Sequence, residues 1–190
     1  MRWRNGASSL LVLSLLVSVA AAVVMSPGVA SADRAKASAV SYWLLNGHSR
    51  KCATVQGAST TTGAPVIQYE CEFSGPAPYN GEWFIEPVGT GNTIHIRNRH
   101  SNQCLVVEGA SRASGAAIVQ WPCALVREPA PYNEEWTIEH LATGWAHVRN
   151  YHSDMCLVVK GAGTANNVPL IQYPCGNFQE PAPYNEEWLI

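Results

Sequence analysis

Gln103-Cys104-Leu105-Val106-Val107-Glu108-Gly109-Ala110 is one of three versions of a single stretch. Lys51-Cys52-Ala53-Thr54-Val55-Gln56-Gly57-Ala58 precedes it and Met155-Cys156-Leu157-Val158-Val159-Lys160-Gly161-Ala162 follows it, so Cys52, Cys104 and Cys156 recur every 52 residues. A second set, Cys71, Cys123 and Cys175, keeps the same interval behind Ile67-Gln68-Tyr69-Glu70, Val119-Gln120-Trp121-Pro122 and Ile171-Gln172-Tyr173-Pro174. Each copy closes on Pro-Tyr-Asn-x-Glu-Trp, ending at Trp83, Trp136 and Trp188. A period of this length is read before any secondary structure, because a unit too small to bury its own apolar face must bury it against its neighbours.

Within the middle copy the pattern predicts four short strands. One precedes Asn98-Arg99-His100-Ser101, and the others cover 104–108, 117–122 and 135–139. Each is a run rich in Val, Ile, Leu and aromatics between Gly, Asn, Ser or Pro clusters, and the mature chain has no sustained 3.6-residue apolar period. Twelve such strands in three equal groups imply a closed, three-fold, all-β body, since closure removes exposed strand edges. The repeats are expected at 39–90, 91–143 and 144–190. Trp83, Trp136 and Trp188, at equivalent positions, are candidates for its core.

The N-terminus has the form of an export signal. Arg2 and Arg4 precede an apolar run from Ala7 to Met25, and Ala30-Ser31-Ala32 offers a small-x-small cleavage site. Residues 1–32 are therefore expected to be a signal peptide and 33–38 a short leader, with an uncleaved signal anchor as the alternative. An exported chain with six regularly spaced cysteines reads as a disulfide framework. Six cysteines permit fifteen pairings, and the repeat selects Cys52–Cys71, Cys104–Cys123 and Cys156–Cys175, because equivalent units close equivalent loops. No Cys-x-x-Cys pair brings thiolates together for a metal, and no cofactor motif is present.

The net charge of −2 becomes more acidic once Arg2 and Arg4 are removed. This excludes a surface built for nucleic acid or anionic membrane, either of which needs clustered Lys and Arg. Repeated, equivalent carboxylates also argue against an enzyme, whose catalytic groups form one asymmetric constellation. His48, His100 and His152, each followed by Ser, are expected to cap turns, and His95 and His147 are given no role.

The triple repeat resembles the ricin-type lectin β-trefoil over the whole mature chain. The matching features are Asn46 to Ser59 and Asn98 to Ser111, the aromatic two residues before each second cysteine, and the Asn-x-x-Trp closure. The resemblance implies a secreted carbohydrate-binding module with up to three shallow sites and a polysaccharide or other glycan as partner. In that family an Asp after the first cysteine accepts hydroxyls, an aromatic stacks on the sugar and an Asn from the closing motif holds a further hydroxyl.

Carried over by residue, the aromatics are Tyr69, Trp121 and Tyr173 and the asparagines Asn80, Asn133 and Asn185. The Asp is absent, its positions holding Thr54, Val106 and Val158, and the family's closing Gln is replaced by Gly81, Glu134 and Glu186. Insertions ending in Pro-Ala-Pro-Tyr precede each closing motif. Glu134, Glu135, Glu186 and Glu187, with Glu82 in the first copy, are the expected replacement acceptors. The middle copy, with Trp121 as platform and Asn133 as anchor, is the expected principal site. A protein-binding trefoil, such as an inhibitor of an extracellular enzyme presenting the Pro-stiffened loops, is the alternative.

Overall fold

A computed structural model describes residues 40–73, 79–124, 132–176 and 184–190, all within the compact unit Ser38–Ile190. The expected signal peptide and leader, and the Pro-Ala-Pro part of each insertion, lie outside the described residues. Among the described residues no helix is long and apolar enough to cross a membrane.

The first repeat supplies β1 (Tyr42–Trp43), β2 (Leu45–Asn46), β3 (Cys52–Val55), β4 (Val66–Tyr69) and β5 (Glu82–Pro87). The second supplies β6 (Ile94–Asn98), β7 (Cys104–Val107), β8 (Ile118–Trp121) and β9 (Glu135–His140). The third supplies β10 (Ala146–Asn150), β11 (Cys156–Val159), β12 (Leu170–Tyr173) and β13 (Glu187–Leu189). There are thirteen segments where twelve were expected, because the first strand is interrupted at Leu44. Its front half pairs with β5 (Tyr42↔Trp83) and its back half with the three-residue β13 (Trp188↔Asn46), too short a partner to carry the ladder through. Single strands β6 and β10 make the same two kinds of pairing without a break.

The order β1-β5-β6-β9-β10-β13-β2 closes a six-stranded barrel on its own first strand. The hairpins β3–β4, β7–β8 and β11–β12 cap it, joined in a ring by the bridges Pro65↔Val119, Ala117↔Ile171 and Ile67↔Pro169. This is a β-trefoil. After β3, β7 and β11 comes one tight 3-10 turn, in which Gly57, Gly109 and Gly161 hold φ near 60°, a left-handed value that favours glycine.

Trp83, Trp136 and Trp188 are fully buried, as expected, together with Leu44, Ile96 and Val148 and with Val55, Val107 and Val159. Each indole Nε1 donates to a carbonyl of its own repeat, on Ala53, Leu105 or Leu157, at 2.8–2.9 Å. A buried Trp with its one donor satisfied stabilises by area without a polar penalty, and truncating one to Ala costs about 3–5 kcal/mol. The three disulfides form as the repeat selected, each between cysteines 19 positions apart. Closing a loop of that length contributes about 3 kcal/mol in the chain-entropy account.

Two sets of buried polar side chains complete the frame. Asn46, Asn98 and Asn150 send Nδ2 to the carbonyls of the closing motifs, while Oδ1 accepts from the turn that follows, from His100 N and Ser101 N at 3.0 and 3.1 Å in the second repeat. Turn capping expected of the histidines is thus performed by these asparagines, whose short amide reaches back where an imidazole cannot; in the second and third repeats the histidine contributes its backbone N–H.

Gln68, Gln120 and Gln172 are also fully buried, and each ties down a loop of a different repeat. Gln120 Nε2 donates to Ser59 O and Thr61 O, Gln172 Nε2 to Ser111 O and Ala113 O, and Gln68 Nε2 to Gly163 O and Ala165 O, all at 2.7–2.9 Å.

Candidate functional site

The sequence Tyr79-Asn80-Gly81 brings the chain back beside β3 just before β5. There it forms one wall of a cleft of about 360 Å³ in the first repeat. β3 contributes Thr54 and Val55, β4 contributes Ile67 and Tyr69, β1 contributes Trp43, and Asn167 reaches in from the third repeat. Glu70 and Glu72, on either side of Cys71, line the remaining edge.

Gly81 lets two other lining residues close against the backbone of this wall. A Cβ there would stand 2.9 Å from the Trp43 ring and 3.2 Å from Thr54 Oγ1, closer than these atoms tolerate. Thr54 Oγ1 donates to Cys52 O at 3.1 Å, which leaves its lone pairs free to accept. Tyr79 is held by the Arg99 guanidinium 4.0 Å over its ring, and Arg99 in turn is gripped by Glu82 at 2.5 Å.

The expected site residues fall into two groups. Tyr69 and Asn80 meet in the cleft. Trp121 and Tyr173 stand on the surface, each 52% exposed, Trp121 beside Gly63 of the first repeat. Asn80, Asn133 and Asn185 all spend their amide nitrogen on the frame, donating to Val55 O, Val107 O and Val159 O at 2.7–2.8 Å. One N–H of each amide is thereby used, which leaves the second N–H and the oxygen to meet a ligand.

In the second and third repeats Val106 and Val158 stand in place of Thr54, His95 and His147 in place of Trp43, and the buried Glu134 and Glu186 in place of Gly81. Glu186 Oε1 lies where a Cβ on Gly176 would otherwise be, so its carboxylate rests on the chain just past Cys175. The first repeat has the reverse arrangement, Gly81 on one wall and Glu72 on the other.

Burial also removes the expected acceptors. Glu134, Glu186 and Glu187 are turned inward, Glu135 is half-buried, and Glu82 is occupied by Arg99 and Ser41. Burial, and then the neighbouring Glu186, hold the Glu187 carboxyl above the usual range, while burial holds His147 below the ordinary imidazole value. His147 lies within 4.8 Å of the sulfurs of Cys156 and Cys175, but those sulfurs are joined as a disulfide and offer no thiolate.

Sequence reasoning missed Trp43, because the equivalent residues are histidines and the repeat does not mark the position. It missed Asn167 because that residue belongs to another repeat. Glu70 and Glu72 were missed because attention fell on the closing motif. The signal that could have found the cleft was Gly81, the one small residue at its position.

Three hairpin-capped units around a closed barrel, with aromatics beside a closing Asn, define a lectin-like β-trefoil. The family described as ricin-type beta-trefoil lectin domain-like matches residues 32–121, and the chain belongs to it. Among solved structures, the designed three-fold symmetric protein ThreeFoil is 30% identical, with a TM-score of 0.67 over 78% of this chain and 96% of that one. The Rhizoctonia solani agglutinin shares the fold at 18% identity and a TM-score of 0.63, over 80% of this chain and 93% of its own. An exo-beta-1,3-galactanase from Clostridium thermocellum shares it at 21% identity and a TM-score of 0.66, over 78% of this chain but only 29% of the galactanase. No curated protein matches the chain in sequence.

Proposed function

We propose that the protein is a secreted, non-catalytic carbohydrate-binding module whose principal glycan site is the first-repeat cleft. The observation that carries this reading is the joint lining of that cleft: Trp43, Tyr69 and Tyr79 as aromatic walls, with Thr54, Asn80 and Asn167 supplying neutral hydroxyl and amide groups. A pyranose presents an apolar C–H face and a rim of hydroxyls, and such a wall matches both. Thr54 stands at the position of the family's Asp and retains an acceptor oxygen there, which the valines of the other repeats lack. Trp121 and Tyr173 serve as lesser platforms that add through multivalency on a polymeric ligand.

Glycan-array screening followed by titration of the best ligand tests this. Trp43→Ala and Tyr69→Ala are expected to weaken binding about tenfold each, and Trp121→Ala and Tyr173→Ala to act mainly on avidity for polymers. Binding abolished by Trp121→Ala but untouched by Tyr69→Ala would return the principal site to the middle repeat. Absence of binding to any glycan, with capture of a secreted enzyme instead, would favour the protein-binding alternative.

A further inference from the structure

We infer that the first-repeat cleft selects glycans bearing a protonated amine, that is, oligosaccharides of glucosamine type whose nitrogen is not acylated. This rests on the cleft being the glycan site proposed above.

The wall carries two carboxylates, Glu70 and Glu72, and among the described residues no Lys, Arg or His lines it. Two cations stand beside lining residues. Arg99 is gripped by Glu82 and lies over Tyr79, and Lys51 approaches Glu70 only to 3.9 Å. With the Glu70 side chain 73% exposed, a contact of that length is weak and screened. Glu72 makes no ion pair among the described residues.

Neither acidic residue has an acidic counterpart in the other two repeats. The positions of Glu70 hold Pro122 and Pro174 in the other copies, and those of Glu72 hold Ala124 and Gly176. Three aromatic rings share the same lining, and the face of such a ring attracts a cation, as Tyr79 already does with Arg99. An ammonium group entering there meets π faces and carboxylates together, with N⁺–H···O⁻ hydrogen bonds stronger than neutral ones. An acetylated nitrogen is uncharged and loses both contributions. A uronic or sialic acid would bring a third carboxylate to the same edge.

The test is calorimetric titration of the disulfide-intact chain at pH 6 and low salt with two ligands, a glucosamine tetramer and its fully N-acetylated counterpart. The amine-bearing tetramer is expected to bind about fivefold tighter. That ratio should collapse towards one in Glu70→Gln/Glu72→Gln, chiefly through lost affinity for the amine-bearing tetramer. Equal affinities, a preference for the acetylated tetramer, or a preference that survives the double substitution would overturn the inference. So would failure of both tetramers while another, neutral glycan binds in a Tyr69-dependent way, an outcome that leaves the proposed function standing. Failure of every glycan removes both.

Discussion

Gly81 lets the Trp43 ring and Thr54 Oγ1 close directly against the backbone, whereas at the same point of the second and third repeats a buried glutamate occupies the wall. The frame around all three positions is the same: a Trp bonded to a β-strand carbonyl, an Asn clamping the strand end, and a Gln holding a neighbouring loop. Symmetry thus governs what the fold needs, and departure from symmetry governs what the surface can hold. Among the three equivalent positions Gly81 alone carries no side chain, and the cleft lies beside it. The first repeat carries a carboxylate on the opposite wall, at Glu72, where it edges the cleft.

The most direct way to break the contrast is Gly81→Glu, which gives the first repeat the wall of the others. The new side chain would collide with Trp43 and Thr54, and glycan affinity is expected to fall more than tenfold while the near-UV circular dichroism of the core tryptophans persists. Unchanged affinity would show that the hollow is not the site.

A smaller effect sharpens the comparison within the frame. Ser101 Oγ and Ser153 Oγ donate to Gln120 Oε1 and Gln172 Oε1 at 2.6 Å, but among the described residues the Oε1 of Gln68 has no hydrogen-bond partner. Denaturant unfolding should therefore show Gln120→Ala costing about 2–4 kcal/mol and Gln68→Ala about 1 kcal/mol less, with unchanged m-values. Equal costs would mean that the serine bonds contribute nothing.

The smallest expected effect concerns His147, which stands where the first repeat has Trp43. Burial lowers its folded pKa below the ordinary 6.5, so between those two values the unfolded chain binds more protons. Stability therefore rises with pH through that window and is lost as pH falls into it. Glu187, raised by burial, acts with the opposite sign above the ordinary carboxylate value of 4.5. Melting curves between pH 5 and 7.5 should show a flatter dependence for His147→Gln than for the parent. An identical slope would place the proton uptake elsewhere.

The frame was legible in the sequence because each of its parts is written three times. Strand positions, the core role of Trp83, Trp136 and Trp188, and the disulfide partners all follow from the threefold repeat. The site was only half legible for the same reason. Repetition draws attention to shared residues such as Trp121, Asn133 and the closing glutamates, while the hollow depends on residues that are not shared. Asn167 enters from another repeat, a proximity that no local motif records. Asn80, Asn133 and Asn185 show the converse difficulty. A residue type suited to holding a hydroxyl is equally suited to holding a backbone carbonyl, and only the fold shows that the amide nitrogen does the second.

The glutamine ties run in a circle: the first repeat holds a loop of the third, the second a loop of the first, and the third a loop of the second. Stacked solenoids grow or shrink by one unit because each unit needs only the one beside it. Here a fourth copy would have to break an existing tie to enter, and a lost copy would leave one glutamine buried without a loop and one loop without a glutamine. Copy number is thereby pinned at three, and variation is left to proceed by substitution within a copy, of the kind that sets the first repeat apart from the other two.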